Sequence, residues 1–211
     1  MSVQKPASWL YTEDFLDEPP AVDAARRRGE ELGCVPVLPG VGAALRMLAA
    51  SVQAHTVVEV GTGAGVSSLW LLDGMPADGV LTTIDLAAEH HRAARQSFTA
   101  AGLAPQRTRI ITGQALDVLP RLADGAYDMV VVDGDKDEYP AYVEQALRIV
   151  RVGGVVAIDN MLWHDRVADP AARDETTTLL RTIGKQLRDD ERLHTTLLPV
   201  GDGLLVAVRR A

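Results

Sequence analysis

The sequence has a single cysteine, Cys34, among its 211 residues. One cysteine excludes an internal disulfide framework and a thiolate metal cluster, and it is compatible with a reducing compartment. Basic residues are also few, with 21 Lys and Arg against 29 Asp and Glu and a net charge of -8. Without a basic block, the chain does not fit a nucleic-acid-binding protein, which must neutralise phosphates. A small-molecule partner fits this composition better.

Long apolar runs are absent as well. None approaches the roughly 18 residues of a membrane span, and the N-terminal segment MSVQKPASWLYTEDFLDEPP lacks the apolar core of a signal peptide. We therefore expect a cytoplasmic protein with no membrane partner. The hydrophobic content of 47% is enough for one sizeable core. We predict a single domain over residues 1–211, with residues 1–50 as a helical lid or dimer arm and 56–211 as the sheet core.

From Thr56 onward, short β-branched runs alternate with amphipathic stretches, a pattern typical of a parallel sheet covered by helices on both faces. Near the C-terminus, the turn signal GDG lies between two apolar runs and predicts an antiparallel hairpin. The runs amount to six or seven strands. The predicted fold class is α/β, a Rossmann-like, seven-stranded, mostly parallel sheet with an antiparallel C-terminal hairpin strand. Five predicted strands are TVVEV, GVLTTID, RTRIITG, YDMVVVDG and GGVVAIDN, and helices are predicted at about 66–74, 87–101, 114–122 and 137–150.

Upstream of the sheet, the stretch DEPPAVDAARRRGEEL places prolines at the start of a predicted helix. Its three arginines, at positions 26–28, are followed by GEEL. A solvated helical face is therefore favoured over an anion-binding patch.

The stretch EVGTGAGVSS follows the first strand, where ligands bind in open α/β sheets. Its glycines, Gly61, Gly63 and Gly65, lack the G-x-G-x-x-G spacing of a dinucleotide fingerprint. Glu59 adds a carboxylate that would repel a pyrophosphate but attract a ligand with ammonium and sulfonium groups. The pattern favours S-adenosylmethionine (SAM) as the cofactor. A glycine-rich strand-to-helix turn without a ligand is the alternative.

Two further segments bear on this cofactor. Asp85 ends the second strand, twenty residues after Gly65, where an acidic side chain can accept hydrogen bonds from both ribose hydroxyls. An acidic residue at this position can bind the ribose of NAD as well as that of SAM, so it does not distinguish the two cofactors. Gln114 and Ala115 follow the third strand, with backbone donors at the next helix start, and are predicted beside the adenine.

Polar side chains also follow two later strands. Asp133 ends one predicted strand, and Asp159 with Asn160 ends the next. Because parallel neighbours lie about 4.8 Å apart, these oxygen donors can converge on one cation. Carboxylate and amide oxygens select a hard ion, Mg²⁺ first, with Mn²⁺ or Ca²⁺ as alternatives. The Asp-Asn pair could instead only cap a turn.

Three motifs occur in order along the chain: E-x-G-x-G-x-G, D-x-D-K-x-x-Y and D-N-x-L-W. With these motifs, the chain from about Val35 to the C-terminus resembles the cation-dependent class I O-methyltransferases of the catechol and caffeoyl-CoA type, especially the bacterial members. The resemblance implies methyl transfer from SAM to a hydroxyl of a small aromatic vicinal diol that a divalent cation chelates. It also implies a homodimer.

The same resemblance implies roles for individual residues. Lys136 stands at the position of the general base, and Trp163 at the substrate rim. A surface lysine paired with Asp135 or Asp137 is the alternative for Lys136. The implied metal ligands are Asp133, Asp159 and Asn160, and the implied cofactor contacts are Val37, Glu59, Gly61, Gly65, Ser67, Asp85, Ala115 and Asp133.

The chain departs from the family pattern at four positions. Gly134 stands where alanine is usual, and His164 and Asp165 stand where glycine is common. Pro199 takes the place of a glutamate that orients the diol in the animal catechol enzymes. The resemblance therefore implies an aromatic diol and does not specify catechol itself. Two other functions stay open, an NAD(P)-dependent oxidoreductase and a non-catalytic SAM-binding protein.

Overall fold

A computed structural model describes residues 7–210 of the chain. Within this range, seven strands form one sheet in the order β3-β2-β1-β4-β5-β7-β6. The strands are β1 Thr56–Val60, β2 Val80–Asp85, β3 Thr108–Thr112, β4 Tyr127–Val132, β5 Val150–Ile158, β6 Leu193–Leu198 and β7 Leu204–Arg209.

Eight α-helices lie in the same range, three of them before the sheet. Short 3₁₀ segments occupy Pro105–Arg107, Leu119–Arg121 and Lys136–Glu138. The helices are α1 Ala7–Glu13, α2 Pro20–Glu31, α3 Pro39–Ser51, α4 Val66–Gly74, α5 Ala88–Ala100, α6 Ala115–Val118, α7 Tyr139–Ile149 and α8 Glu175–Asp189.

The predicted α/β fold class is confirmed. Strands β1 to β5 pair in parallel, whereas β7 is antiparallel to both β5 and β6. The last strand therefore runs backwards, as the turn signal between β6 and β7 predicted. The helix α2 begins at Pro20, where proline's fixed φ and missing N–H do no harm.

Two apolar cores lie on opposite faces of the sheet. Because side chains alternate along a strand, Met129 and Val131 of β4 face one core, and Val130 and Val132 face the other. The first core contains residues of α2 to α5, and the second contains residues of α7 and α8. Helices α2 and α3 are thus part of the packed layer. The lid or dimer arm predicted for residues 1–50 stays a prediction, and its residues 1–6 lie outside the described range.

The strand β5 begins at Val150, three residues before the predicted start at Gly153. Its pairing with β4 changes register, because Tyr127 pairs with Val150 and Met129 pairs with Val155. Gly153 has a φ of +75° within this bulge, a conformation that few other residues adopt. The sequence pattern shows the regular end of the strand and not the irregular beginning.

The pairing continues one residue past the ends of the central strands. The amide of Gly61 donates to the carbonyl of Ile84 at 2.9 Å, and that of Asp133 donates to Val60 at 2.9 Å. The amide of Asp159 donates to the carbonyl of Val132 at 3.0 Å. The glycine loop and the two aspartates therefore lie side by side at the carboxyl edge of the sheet.

None of the helices in residues 7–210 is long and apolar enough to cross a bilayer.

Candidate active site

The three loop glycines between β1 and α4 all have positive φ, of +96° at Gly61, +50° at Gly63 and +89° at Gly65. A Cβ on Gly61 would lie 2.0 Å from the backbone oxygen of Asp133. A Cβ on Gly65 would lie 2.8 Å from the ring of Phe98 on α5. Glycine is therefore required at Gly61 and Gly65 for both conformation and space.

Two adjoining cavities open along this edge of the sheet. One, of about 200 Å³, lies between the segment that precedes α3 and the glycine loop. The other, of about 260 Å³, lies beside the start of α6. Gly61, Asp85 and Asp133 line both cavities. Of the predicted cofactor contacts, those that line a cavity are Val37, Gly61, Ser67, Asp85, Ala115 and Asp133.

The charged side chains that line these cavities are acidic. Asp85 and Asp133 border both of them, and Asp135 and Glu138 border the second. Neither lining contains a lysine or an arginine, and His90 is the only basic side chain. Such a lining attracts a cationic ligand and repels a pyrophosphate, which carries two negative charges.

Glu59 lies behind the glycine loop and lines neither cavity. Its carboxyl group is fully buried and accepts hydrogen bonds from the hydroxyls of Ser67 at 2.6 Å, Ser68 at 2.5 Å and Thr83 at 2.6 Å. Burial raises the pKa of Glu59 to about 7, although these hydrogen bonds act in the opposite direction. Glu59 on β1 is thus hydrogen-bonded to β2 and to the first turn of α4. The negative charge of the cavities comes from other carboxylates.

Asp85 closes the glycine loop from the end of β2. One carboxylate oxygen accepts hydrogen bonds from the amides of Thr62 at 3.1 Å and Gly63 at 2.9 Å. The other oxygen accepts a hydrogen bond from the amide of Ala87 at 2.9 Å. The ring of His90 lies 3.1 Å from the same carboxylate. The residue predicted to bind the ribose therefore also fixes the loop beside it.

The three predicted metal ligands follow β4 and β5. Asp159 is buried, and one of its carboxylate oxygens has no hydrogen-bond partner among the described residues. Burial, and then the negative charge of Asp133, raise the pKa of Asp159. Asn160 follows with a φ of +59°. Within residues 7–210 no group of three or more His, Cys, Asp or Glu is arranged for a metal, and the predicted set includes the amide oxygen of Asn160.

Lys136 lies in the 3₁₀ turn between β4 and α7. Its amine contacts a carboxylate oxygen of Asp133 at 3.2 Å, the carbonyl of Gly134 at 3.1 Å and the hydroxyl of Tyr139 at 2.6 Å. Its side chain is 16% exposed. The partners proposed for a surface lysine, Asp135 and Asp137, make no ion pair with it in the described part of the chain. Lys136 therefore faces the edge of the sheet and not the solvent.

The loop after Asn160 carries an unusual backbone. Trp163, His164 and Asp165 all have positive φ, between +48° and +63°, which is strained for side chains of this size. Asp202, in the turn between β6 and β7, accepts a hydrogen bond from the amide of His164 at 2.7 Å. The predicted rim residue Trp163 is partly buried against the second core, and its ring centre lies 5.1 Å from that of His164 at an interplanar angle of 39°. It lines neither of the two cavities.

Two contributors to the site were not found from the sequence. Arg26 was predicted on a solvated face, but its guanidinium is 16% exposed, pairs with Glu18 at 2.6 Å and donates to the carbonyl of Val37 at 2.7 Å. The prediction for this residue is wrong, because α2 packs beside the cavity wall. His90 also lines the first cavity, and its position five residues after Asp85 was the available signal.

Several known proteins with similar sequences or folds are described as O-methyltransferases. A family model described as O-methyltransferase matches residues 28–210. A relative from Mycobacterium tuberculosis, described as a "probable O-methyltransferase", is 47% identical over 201 residues, which are 95% of this chain and 90% of the relative.

Two solved structures are similar over almost the whole chain. The O-methyltransferase TomG from Streptomyces achromogenes, involved in tomaymycin synthesis and solved in complex with SAM, is 30% identical with a TM-score of 0.85, over 97% of this chain and 96% of that one. An O-methyltransferase from Bacillus cereus in complex with SAH is 27% identical with a TM-score of 0.84, over 97% of each chain.

Proposed function

The chain belongs to the O-methyltransferase family, and on this premise we propose that it transfers the methyl group of SAM to one hydroxyl of a small aromatic vicinal diol. The family predicted from the three sequence motifs is thereby confirmed. The diol, the divalent cation and the roles of single residues are parts of the proposal.

The observation that carries the choice of cofactor is the charge of the two cavities. They are bordered by Asp85, Asp133, Asp135 and Glu138 and by no lysine or arginine. SAM carries a sulfonium and an ammonium, which such a lining attracts, whereas the pyrophosphate of NAD would meet uncompensated repulsion. The SAM and SAH complexes of the relatives with TM-scores of 0.85 and 0.84 support the same choice. An NAD(P)-dependent oxidoreductase is therefore not favoured.

The residues that line the two cavities support an assignment of the two ends of SAM. We assign the methionine end to the first cavity, beside Val37 and Ser67, and the adenine to the second, beside Ala115. Asp85 borders both cavities, as a residue that binds the central ribose should. Gly65 and Glu59 would act behind this surface, by shaping the loop and by holding it to the sheet.

The donor set at the ends of β4 and β5 fits a hard divalent cation. Asp133 and Asp159 offer carboxylate oxygens, Asn160 offers an amide oxygen, and the unpartnered buried oxygen of Asp159 is a polar atom that a cation would satisfy. Mg²⁺ is the first choice, with Mn²⁺ or Ca²⁺ as alternatives. A bound cation would lower the pKa of a chelated diol, which for a free phenol is about 10.

The proposed general base is Lys136. Its amine lies 3.2 Å from Asp133, so it can reach a hydroxyl held at that carboxylate. Lys136 would take the hydroxyl proton and leave a phenolate oxygen as the nucleophile, and SAM, when bound, would supply the methyl group. Trp163, with His164 and Asp165 beside it, is proposed to border the substrate.

The experiment that tests the function measures binding and turnover separately. Calorimetry should detect SAM and SAH and no binding of NAD. Methyl transfer from SAM should then be assayed on catechols, flavonoids and caffeoyl esters, with Mg²⁺ and after exhaustive chelation. Tight NAD binding without SAH binding would contradict the cofactor. Activity that survives chelation would contradict the cation, and SAH binding without any methyl transfer would favour a non-catalytic SAM-binding protein.

Two further parts of the proposal are a homodimer and a cytoplasmic location. The homodimer rests on the family resemblance, and the location rests on the single cysteine, which is free in the structure. Light scattering on the purified chain tests the oligomeric state.

A further inference from the structure

The motif D-x-D-K-x-x-Y ends on a tyrosine for which the proposed reaction has no role so far. Tyr139 begins α7 and is fully buried. Its hydroxyl oxygen accepts a hydrogen bond from the amine of Lys136 at 2.6 Å, and its own proton is donated to the backbone carbonyl of Asp159 at 3.2 Å. The amine also lies 4.6 Å from the centre of the tyrosine ring. One buried side chain thus joins the proposed base to the end of β5.

The three contacts of Lys136 account for every hydrogen of an ammonium group. Asp133, Gly134 and Tyr139 each offer an acceptor oxygen within 3.2 Å of the amine. The carbonyl of Gly134 belongs to the backbone of the same loop, whereas the hydroxyl of Tyr139 belongs to a buried side chain of α7.

Asp133 and Gly134 can only accept hydrogen bonds from the amine, because neither a carboxylate nor a carbonyl carries a donor. The hydroxyl of Tyr139 accepts from Lys136 and donates to the carbonyl of Asp159. Tyr139 therefore ties the amine to the end of β5 and holds it beside Asp133, on the side where the diol would be held.

We propose that Tyr139 is the positioning residue of Lys136, holding its amine beside Asp133 where it can reach the substrate hydroxyl. This inference rests on the proposed function of Lys136 as the base. In the proton-transfer step, the O–H bond of the diol breaks, an N–H bond forms on Lys136, and the electron pair stays on the phenolate oxygen. Tyr139 keeps its proton throughout, and burial raises the pKa of Tyr139 well above its ordinary value.

The test removes only the hydroxyl, with Tyr139→Phe, and compares it with Tyr127→Phe at the opposite end of the sheet. Tyr139→Phe should lower kcat by about 10-fold to 100-fold, the range for a misoriented catalytic group. The KM for the diol and the affinity for SAH should stay at wild-type values. Because acidic diols need less help from a base, the loss should shrink on nitro-substituted catechols. Tyr127→Phe should match the wild type.

Lys136→Met, measured beside these variants, separates this inference from the proposed function. If Lys136→Met is impaired and Tyr139→Phe turns over at the wild-type rate, the positioning role is contradicted and the base is not. If Lys136→Met is as active as the wild type, the base assignment fails and the positioning role fails with it. A loss in Tyr139→Phe that is equal for all diols and accompanied by weaker SAH binding would indicate a general structural defect and contradict the inference.

A second measurement does not depend on turnover. The sequence has only three lysines, Lys5, Lys136 and Lys185, so mass spectrometry can follow acetylation of each amine by a trace of acetic anhydride. Lys185 lies exposed on α8 and serves as the internal reference. Loss of one of three hydrogen-bond partners should raise the labelling of Lys136 relative to Lys185 in Tyr139→Phe. An unchanged ratio would contradict the positioning role.

Discussion

The amide nitrogen of Gly63 lies 2.9 Å from a carboxylate oxygen of Asp85. The side chain proposed to bind the ribose of SAM therefore also closes the loop that borders the rest of the cofactor. A ribose hydroxyl bound there would share the carboxylate with backbone amides that are already in place. Recognition at this point depends on a preformed surface and not on a side chain that must first be ordered.

The first prediction concerns the substitution Asp85→Ala. It should weaken SAH binding by about 1 to 3 kcal/mol, because hydrogen bonds from the ribose to a charged acceptor are lost. It should also lower the melting temperature, because the amides of Thr62 and Gly63 lose their acceptor. Calorimetry and thermal unfolding measure the two effects. Asp78→Ala, on an exposed aspartate before β2, is the control. Unchanged SAH affinity would remove Asp85 from the cofactor site.

Much of the fold could be predicted because the responsible signals are local. Each of the central strands is a short apolar run followed by a polar or glycine-rich end, and the reversal of β7 follows from the turn signal before Leu204. The early start of β5 could not be predicted, because the bulge after Val150 depends on pairing with β4. Periodicity within one segment carries no information about such a register shift.

Some residues of the candidate site could likewise be predicted from the sequence, and others could not. Asp85, Asp133 and Asp159 were identified because they end strands, and strand ends meet at one edge of a parallel sheet. The burial of Glu59 and the inward position of Arg26 depend on how helices α4 and α2 pack, which no local pattern specifies. Tyr139 was visible in a motif, but its contact with Lys136 required the geometry of the turn.

The second prediction concerns Gly61. The substitution Gly61→Ala should destabilise the fold by about 2 to 4 kcal/mol, since it adds a clash with the backbone oxygen of Asp133 to the strain of a positive φ. The control is Gly102→Ala, where φ is +71° but no atom lies within 4 Å of the new methyl group. That variant should lose only about 1 to 2 kcal/mol. Urea unfolding measures both, and equal losses would show that the contact with Asp133 has no effect.

The third prediction concerns the cation and Asp159. Asp159→Asn should abolish methyl transfer while leaving SAH binding at the wild-type value, because the glycine loop is untouched. Mg²⁺ should raise the melting temperature of the wild type above its value in chelator, because a ligand that binds the folded state stabilises it. That increase should vanish in Asp159→Asn and persist in Asp73→Asn, a change on the exposed side of α4. A Mg²⁺ response in Asp159→Asn equal to that of the wild type would exclude Asp159 as a ligand.

The buried carboxyl of Glu59 makes the stability of the fold depend on pH. Its pKa rises from an ordinary value of 4.5 to about 7, chiefly through burial. Below both values, the folded and unfolded chains hold the same proton. Between them, the unfolded chain releases the proton and the folded chain keeps it, so the free energy of unfolding falls as the pH rises. Above pH 7, the contribution of Glu59 is constant again.

The last prediction follows from this dependence. From pH 5 to pH 7, Glu59→Gln should gain about 1 to 2 kcal/mol in free energy of unfolding relative to the wild type, since an amide cannot release a proton. The hydroxyls of Ser67, Ser68 and Thr83 can rotate to accept from the new NH₂ group, so the network survives the change. Urea unfolding at several pH values measures the difference, with the exposed Glu144→Gln as the control. The buried Asp159 contributes a decline of the same sign in both proteins, so the comparison with the wild type isolates Glu59. Parallel profiles for Glu59→Gln and the wild type would mean that Glu59 is already ionised in the folded state at pH 5, with its charge held by the three hydroxyl groups.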